Sequence, residues 1–396
     1  MTWLVGQEFA SLPGDQIPLG AAFGQAALFG LLMLAAGSVA FAAAPFVGWT
    51  RAAAFGLIAL FGSNLINAYS SIGRAVEALR PLSWDAWTAG HRPMAGVTDW
   101  PSVALLVGVC VVLLGIGVAG FVRRDLGDAA ALGWLRLPSL PAGIGGPFRR
   151  QLADRTSIAV AWGLAVGLYG ALVVASAKAF AESIGGIPGI VNLVKQVYPD
   201  IDFSQPSGIL QLTFYGFASL VMCLAGASFV SGWAGDEGDG RLAVVMAVPI
   251  SRARWMLSSS LGVMAAIAVS TLVAVLCVAI AVLTQAGDLA GPVVGTVILG
   301  LAAAAFAGVG LAVGGLVSAA WAAPTTAFLA IATFTLDLLG PALKLPDPIL
   351  QLSLFQHLGQ PMAGVIDATG IVAAAVLAIG GVLVGAWGLQ RRDLDR

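Results

Sequence analysis

Two stretches of this chain repeat each other without a gap. Residues 93–126 align with residues 361–394, and both copies begin with PMAGV and end with RRDL. Each copy consists of a polar loop, an apolar run of membrane-spanning length and a basic end. Duplicated membrane units are typical of transporters, in which related halves pack around a shared path. The repeat therefore favours transport over enzymatic chemistry.

The composition restricts the chain to a membrane. Hydrophobic residues make up 59% of the chain and charged residues 10%, and the mean hydropathy is +0.94. Soluble domains carry about 25% charged residues. A bilayer is the solvent that suits this much apolar surface, and helices satisfy their own backbone hydrogen bonds there. We therefore predict an all-α polytopic membrane protein, and the net charge of −1 excludes the basic footprint of a nucleic-acid-binding protein.

Nine apolar runs reach the roughly 20 residues that a membrane span needs. The predicted spans are 20–46, 52–72, 102–121, 157–179, 209–232, 259–284, 292–318, 324–343 and 369–389. The first three match the last three, whereas the three in the middle have no counterpart in the first half. The chain is thus interpreted as two repeat-related halves of three and six spans.

This interpretation divides the chain into three parts. Residues 1–126 form the first, incomplete half, residues 127–150 a cytoplasmic linker with an interfacial helix, and residues 151–396 the second half of six spans. The repeat predicts a six-plus-six design in which roughly 120 residues precede the first half. An N-terminally truncated product and a true nine-span protein are both compatible with the sequence.

The basic residues predict the orientation of the spans. Alternating the loops between the two sides places thirteen basic residues on one side and six on the other. The thirteen are Arg51, Arg123, Arg124, Arg136, Arg149, Arg150, Arg155, Arg241, Arg252, Arg254, Arg391, Arg392 and Arg396. Because cytoplasmic loops are enriched in Lys and Arg, that side is expected to be cytoplasmic, together with the C-terminus.

The segment 233–258, which joins two predicted spans on the cytoplasmic side, carries the most informative pattern. Leu242, Val245 and Met246 follow a helical spacing, and the acidic cluster that begins at Asp236 is expected at the N-terminus of that helix. Pro249 interrupts the helix, after which Ser251 is expected to cap the next one. The segment is predicted to be an amphipathic helix hinged onto a span; a helix that lies on the membrane surface is the alternative.

This segment resembles the signature of type-2 ABC exporter permeases, E-x-x-G-x-L followed by P-x-S-R. The matching residues are Glu237, Gly240, Leu242, Pro249, Ser251 and Arg252. The repeat resembles the fused double-length branch that exports antibiotics of the polyketide or tetronasin type. The resemblance implies a multi-pass permease of the bacterial plasma membrane, whose coupling segment contacts an ATP-binding cassette subunit, present in two copies. The first half lacks such a segment.

No catalytic or cofactor site is predicted on this chain. It has no G-x-x-x-x-G-K-[ST] phosphate loop, so ATP and Mg²⁺ are expected on the partner subunit. Paired acids, H-E-x-x-H and Ser/His pairs at membrane depth are also missing from the sequence, which argues against a membrane enzyme. Its two histidines have no carboxylate or cysteine cluster beside them, so no metal site is expected.

Three polar residues in the spans are candidates for a translocation path. Asp337 lies inside a predicted span, where a carboxylate is costly; an interhelical hydrogen bond is the alternative explanation. Asn67 aligns with Asp337 in the repeat, and Asn64 lies one turn earlier.

Two transport functions follow from these residues. The first is the permease of an ATP-driven exporter that moves hydrophobic or amphiphilic small molecules, such as antibiotics and drugs, out of the cell. The alternative is a proton-coupled secondary transporter that uses Asp337. The long acidic segment between two spans favours the first, since secondary carriers usually have a short loop there.

Overall fold

A computed structural model describes residues 18–70, 77–123, 146–185, 201–238, 242, 247, 250–285, 287–341, 343 and 345–392. Within these residues nine long helices form, each at the place of one predicted span. They are α1 (Leu19–Val47), α2 (Trp49–Tyr69), α3 (Trp100–Val122), α4 (Gly146–Gly185), α5 (Pro206–Gly238), α6 (Arg252–Thr284), α7 (Ala290–Leu316), α8 (Ala322–Leu339) and α9 (Ala368–Arg391). The all-α polytopic fold is confirmed.

Eight of these helices are long and apolar enough to cross a membrane. The ninth, α2, occupies the position predicted for the second span, but Arg51, Asn64 and Asn67 make its sequence more polar. The described part of the chain therefore contains eight candidate spans by hydropathy, where the sequence predicted nine.

The helices belong to two compact units. Unit 1 comprises Met1–Arg136 and contains α1 to α3; unit 2 comprises Leu137–Arg396 and contains α4 to α9. In unit 1 α1 packs against both α2 and α3, and in unit 2 α7 packs against both α8 and α9. In unit 2, α5 and α7 are the most buried spans. The arrangement of three helices followed by six agrees with the number of spans predicted in each half.

Helix α4 differs from its prediction. The sequence predicts a short interfacial helix followed by a separate span, but one continuous helix of 40 residues runs from Gly146 to Gly185. After Pro147, in the first turn, the helix contains no proline that would break it. At 1.5 Å per residue it is about 60 Å long, roughly twice the thickness of the hydrocarbon core. The helix therefore extends beyond a membrane. Residues 127–145 of the predicted linker lie outside the described residues.

The loops that begin the repeats have the same backbone in both units. Pro93–Ala95 and Pro361–Ala363 each form a 3-10 turn. Gly96 and Gly364 follow these turns in the left-handed region, with φ of 70° and 79°. These angles explain why both copies need glycine here, since other residues rarely adopt them. In unit 2 the loop includes a small antiparallel ladder of β1 (Gly359–Gln360) and β2 (Val365–Ile366), which are the only strands in the described part of the chain.

The helices after these loops begin with equivalent caps. The Asp99 carboxylate accepts a hydrogen bond from the Ser102 amide at the start of α3, and the Asp367 carboxylate accepts one from the Thr369 amide at the start of α9. Aspartate is a preferred N-cap residue, because its carboxylate can accept a hydrogen bond from an amide of the first helical turn. The sequence repeat is therefore also a repeat of local structure.

Candidate coupling site and the polar residues of the spans

The acidic cluster of the predicted coupling segment lies at the end of a helix, not at the start of one. Helix α5 continues to Gly238, so Asp236 and Glu237 occupy its last turn. The prediction that they begin a new helix is wrong, because nothing between Pro206 and Gly238 interrupts α5. Carboxylates at a helix C-terminus meet the negative end of the helix dipole. Their position is therefore favourable only with cations nearby.

Arginines of α4 and of the C-terminal end of α9 supply those cations. The guanidinium group of Arg150, on α4, lies 3.9 Å from the carboxylate of Asp236. Arg392, which follows α9, forms an ion pair with Glu237. The side chains of Arg392 and Glu237 are 12% and 26% exposed, so water screens this pair less than it screens a surface pair. The acidic end of α5 is thus bound to α4 and to the C-terminal end of α9.

Arg392 makes two further contacts. Its Nη1 donates a hydrogen bond of 2.9 Å to the carbonyl oxygen of Gly314, in the last turn of α7. Its own carbonyl accepts a hydrogen bond of 2.8 Å from Nη1 of Arg252, the first residue of α6. This one residue therefore joins the ends of α5, α6, α7 and α9.

Buried contacts fix the end of α5 just before the acidic residues. The indole nitrogen of Trp233 donates a hydrogen bond of 3.0 Å to the Ser259 hydroxyl of α6, and the Trp233 and Trp255 rings are 6.0 Å apart. Nε of Arg155, a buried arginine of α4, donates to the carbonyl oxygen of Phe229 at 3.1 Å. The last turns of α5 are therefore held by side chains of both α4 and α6.

Residues 239–251, here called the α5–α6 connector, separate these two helices. Leu242, one of the residues expected to contact the partner subunit, is only 3% exposed and belongs to the core of unit 2. That part of the prediction is wrong, because its side chain is already buried. Ser251 caps α6 by accepting a hydrogen bond from the Arg254 amide, as predicted. Four predicted coupling residues, Gly240, Val245, Met246 and Pro249, lie outside the described residues.

The polar residues proposed for a translocation path lie in both units. In unit 2 the Asp337 carboxylate, near the end of α8, accepts a hydrogen bond from the Gln356 amide. In unit 1 Asn64 is exposed and Asn67 is partly buried. Asn67 lines a cavity of about 430 Å³ together with Asp85 and other residues of unit 1. The partner of Asp337 thus lies in a 3-10 turn of the loop that follows α8, not on another span, and a role in transport stays a prediction for all three residues.

Local sequence reasoning missed a π-helical turn in α5. Residues Leu210–Tyr215 form this turn, and Tyr169 of α4 donates a hydrogen bond of 2.7 Å to its Thr213 carbonyl. The buried side chain of Gln211 accepts a hydrogen bond of 3.1 Å from the Met362 amide in the repeated loop. A lone glutamine in an apolar run was the available signal for this turn.

Among the described residues, no group of three or more metal-ligating side chains is close enough to hold an ion.

Two comparisons with known proteins agree with each other. Residues 148–390 match the family model described as "Multidrug efflux system permease Rv1217c, C-terminal domain". The chain is also 27% identical, over 404 aligned positions, to the multidrug efflux system permease protein Rv1217c of Mycobacterium tuberculosis (strain ATCC 25618 / H37Rv). That alignment covers 97% of this chain and 69% of the relative. The family-model match lies entirely within unit 2, the unit that contains the connector.

Proposed function

Because the chain belongs to the family of the multidrug efflux system permease Rv1217c C-terminal domain, we propose that it is the membrane subunit of an ATP-driven exporter. Its cargo would be hydrophobic or amphiphilic small molecules, including drugs or antibiotics. The chain itself would be a transport subunit with no enzymatic activity. Two copies of an ATP-binding cassette subunit would bind the cytoplasmic side, and that side would also hold the C-terminus. The family supports an efflux permease; the energy source and the partner are our proposal.

The observation that carries this proposal is the construction of the connector. It leaves α5 next to Asp236 and Glu237 and enters α6 at Ser251 and Arg252, and these ends are held by ion pairs, hydrogen bonds and a helix cap. A loop that only joins two spans would not need ends that are fixed by so many contacts. A connector that receives a mechanical load would need fixed ends, because a force on it must reach both helices.

The energy for export would come from the partner. The sequence contains no phosphate loop, so binding of ATP and Mg²⁺ is assigned to the ATP-binding subunit. In this proposal Gly240, Val245 and Met246 of the connector contact that subunit. Asp236, Glu237 and Leu242 instead serve within the chain, because their described side chains pack against unit 2 or pair with its arginines.

Crosslinking combined with ATP hydrolysis tests the proposal. The chain is purified from native membranes with its associated proteins, with benzoylphenylalanine placed either at Met246 or at Ser204. Met246 lies in the connector, whereas Ser204 lies just before α5, at the opposite end of that helix. We expect Mg-ATP hydrolysis in the purified sample and a light-dependent crosslink from position 246 to the ATP-binding subunit. Position 204 should give no such crosslink.

The energy source separates this function from a proton-coupled carrier. Export from inverted membrane vesicles should require ATP and persist when a protonophore collapses the proton gradient. Export that stops with the protonophore and needs no ATP would contradict our proposal and favour transport through Asp337. A transport-active chain that purifies without any ATPase would contradict it as well.

A further inference from the structure

The two ends of the α5–α6 connector are bonded to the same residue. Glu237 precedes Gly238, the last residue of α5, and Arg252 is the first residue of α6. The side chain of Arg392 pairs with Glu237, while the backbone carbonyl of Arg392 accepts the hydrogen bond from Arg252. Arg392 comes from the far end of the chain, 155 positions from Glu237 and 140 from Arg252. A residue that directly follows α9 thus joins the two ends of the connector.

The guanidinium group is suited to this place. One of its terminal nitrogens donates a hydrogen bond to the carboxylate of Glu237, and the other donates one to the carbonyl oxygen of Gly314. A planar guanidinium presents several donors in a fixed fork, whereas a lysine ammonium is a compact point charge. Its positive charge also lies at the C-terminal ends of α5 and α7, where a cation is favoured by the helix dipole. A lysine would have to reach both acceptors from a single nitrogen, so it would not reproduce the two separate nitrogens that make these contacts.

The neighbouring arginine provides a contrast. Arg391 is the last residue of α9, but its guanidinium stacks over the ring of Trp387, 4.1 Å from the ring centroid. Asp236, the other acid at the end of α5, lies near Arg150 on α4. Of these two adjacent arginines, Arg392 is therefore the one that contacts Glu237.

We infer that Arg392 is a positioning residue for the connector, which it holds by both ends before any partner binds. The basic end of the repeat is thus more than a membrane stop signal in unit 2. Its importance for energy coupling rests on the proposed function, but the restraint on the connector ends is a property of this chain alone. The two statements are tested by different measurements.

The restraint is measured on the purified full-length chain without a partner. Spin labels are placed at Gly238→Cys and Arg254→Cys in a background without native cysteines, and the distance between them is recorded by pulsed electron paramagnetic resonance. Both positions are exposed, and a Cβ at Gly238 meets nothing within 4 Å. We expect one narrow distance peak, its loss in Arg392→Ala, partial broadening in Arg392→Lys and no change in Arg391→Ala.

A second variant distinguishes the loss of this ion pair from misfolding of the Arg392→Ala protein. Glu237→Gln keeps the shape of the side chain but removes its charge, so it should broaden the same peak. Combining it with Arg392→Ala should add little, because the two residues share one interaction. An unchanged peak in Arg392→Ala, or equal broadening in Arg391→Ala, would overturn the inference while leaving the proposed function intact.

Coupling is measured in the assembled complex with the ATP-binding subunit. Loss of a charge-assisted hydrogen bond changes an equilibrium roughly tenfold or more, so we expect ATP hydrolysis coupled to the permease to fall roughly tenfold in Arg392→Ala. Arg391→Ala should retain it. If the distance peak is lost but hydrolysis is unchanged, Arg392 restrains the connector without positioning it for coupling, and that role is overturned.

Discussion

Replacing Gly381 by alanine should destabilise unit 2, whereas replacing the adjacent Gly380 should not. Helices α7 and α9 meet backbone to backbone, and a Cβ at Gly381 would lie 2.2 Å from the carbonyl oxygen of Gly308. A Cβ at Gly380 would meet nothing within 4 Å. The two positions are one residue apart on the same helix, so each is the natural control for the other.

The difference between the variants follows from packing alone. Alanine stabilises a helix interior by about 1 kcal/mol relative to glycine, and this gain is common to both positions. Forcing an additional carbon into a packed interface costs about 1–3 kcal/mol, because the neighbours must shift. Here the neighbour of Gly381 is a backbone carbonyl, which cannot rotate away as a side chain can. We therefore expect Gly381→Ala to be less stable than Gly380→Ala by about 1–3 kcal/mol.

Thermal unfolding of the purified protein in detergent measures this difference. At roughly 2–4 °C per kcal/mol for a domain of this size, the Tm of Gly381→Ala should lie several degrees below that of Gly380→Ala. Equal Tm values for the two variants would refute the reasoning, since α7 and α9 would then not approach each other so closely. A lower Tm for Gly380→Ala would contradict it more strongly.

Two further predictions concern orientation and the π-helical turn. In a cysteine-free background, Lys195→Cys should react with an impermeant maleimide added to intact cells, whereas Arg241→Cys should not. The reason is that basic residues are concentrated on the cytoplasmic side. Labelling of position 241 from outside would show that the predicted orientation is reversed. Tyr169→Phe removes the hydrogen bond to the Thr213 carbonyl and should lower the free energy of unfolding by about 1 kcal/mol. The change is measured as a decrease in Tm. An unchanged Tm would show that another donor forms a hydrogen bond with this carbonyl.

The positions of the helices were predictable because a helix that spans the bilayer needs an apolar run of about 20 residues, which can be read directly from the sequence. Each predicted span falls on one long helix, and the ends differ most where helices extend beyond the apolar run, as in α4. The caps at Asp99 and Asp367 were predictable because capping is local: the aspartate and the amide it binds are two or three residues apart.

The coupling site was only partly predictable because its contacts are not local. A helical spacing and an acidic cluster indicate an amphipathic helix, but they do not show where the preceding helix ends. Glu237 is paired with a residue 155 positions away, and no sequence period connects the two. The burial of Leu242 has the same origin: an apolar residue at helical spacing fits the core of its own chain as well as a groove in a partner.

The packing of unit 2 favours movement of whole helices over bending as the response to a load on the connector. Trp233 of α5 is hydrogen-bonded to Ser259 of α6, so the two helices that would receive a load in the proposed exporter are joined close to the connector. Further along α6, a Cβ at Gly163 of α4 would lie 2.5 Å from the Ser270 carbonyl oxygen, which leaves no space for these backbones to approach further. Densely packed interiors transmit displacement because they have low compressibility. In the proposed exporter, a displacement of the connector would therefore move α4, α5 and α6 together, and the interfaces of α5 and α6 with α7 would be the surfaces that rearrange.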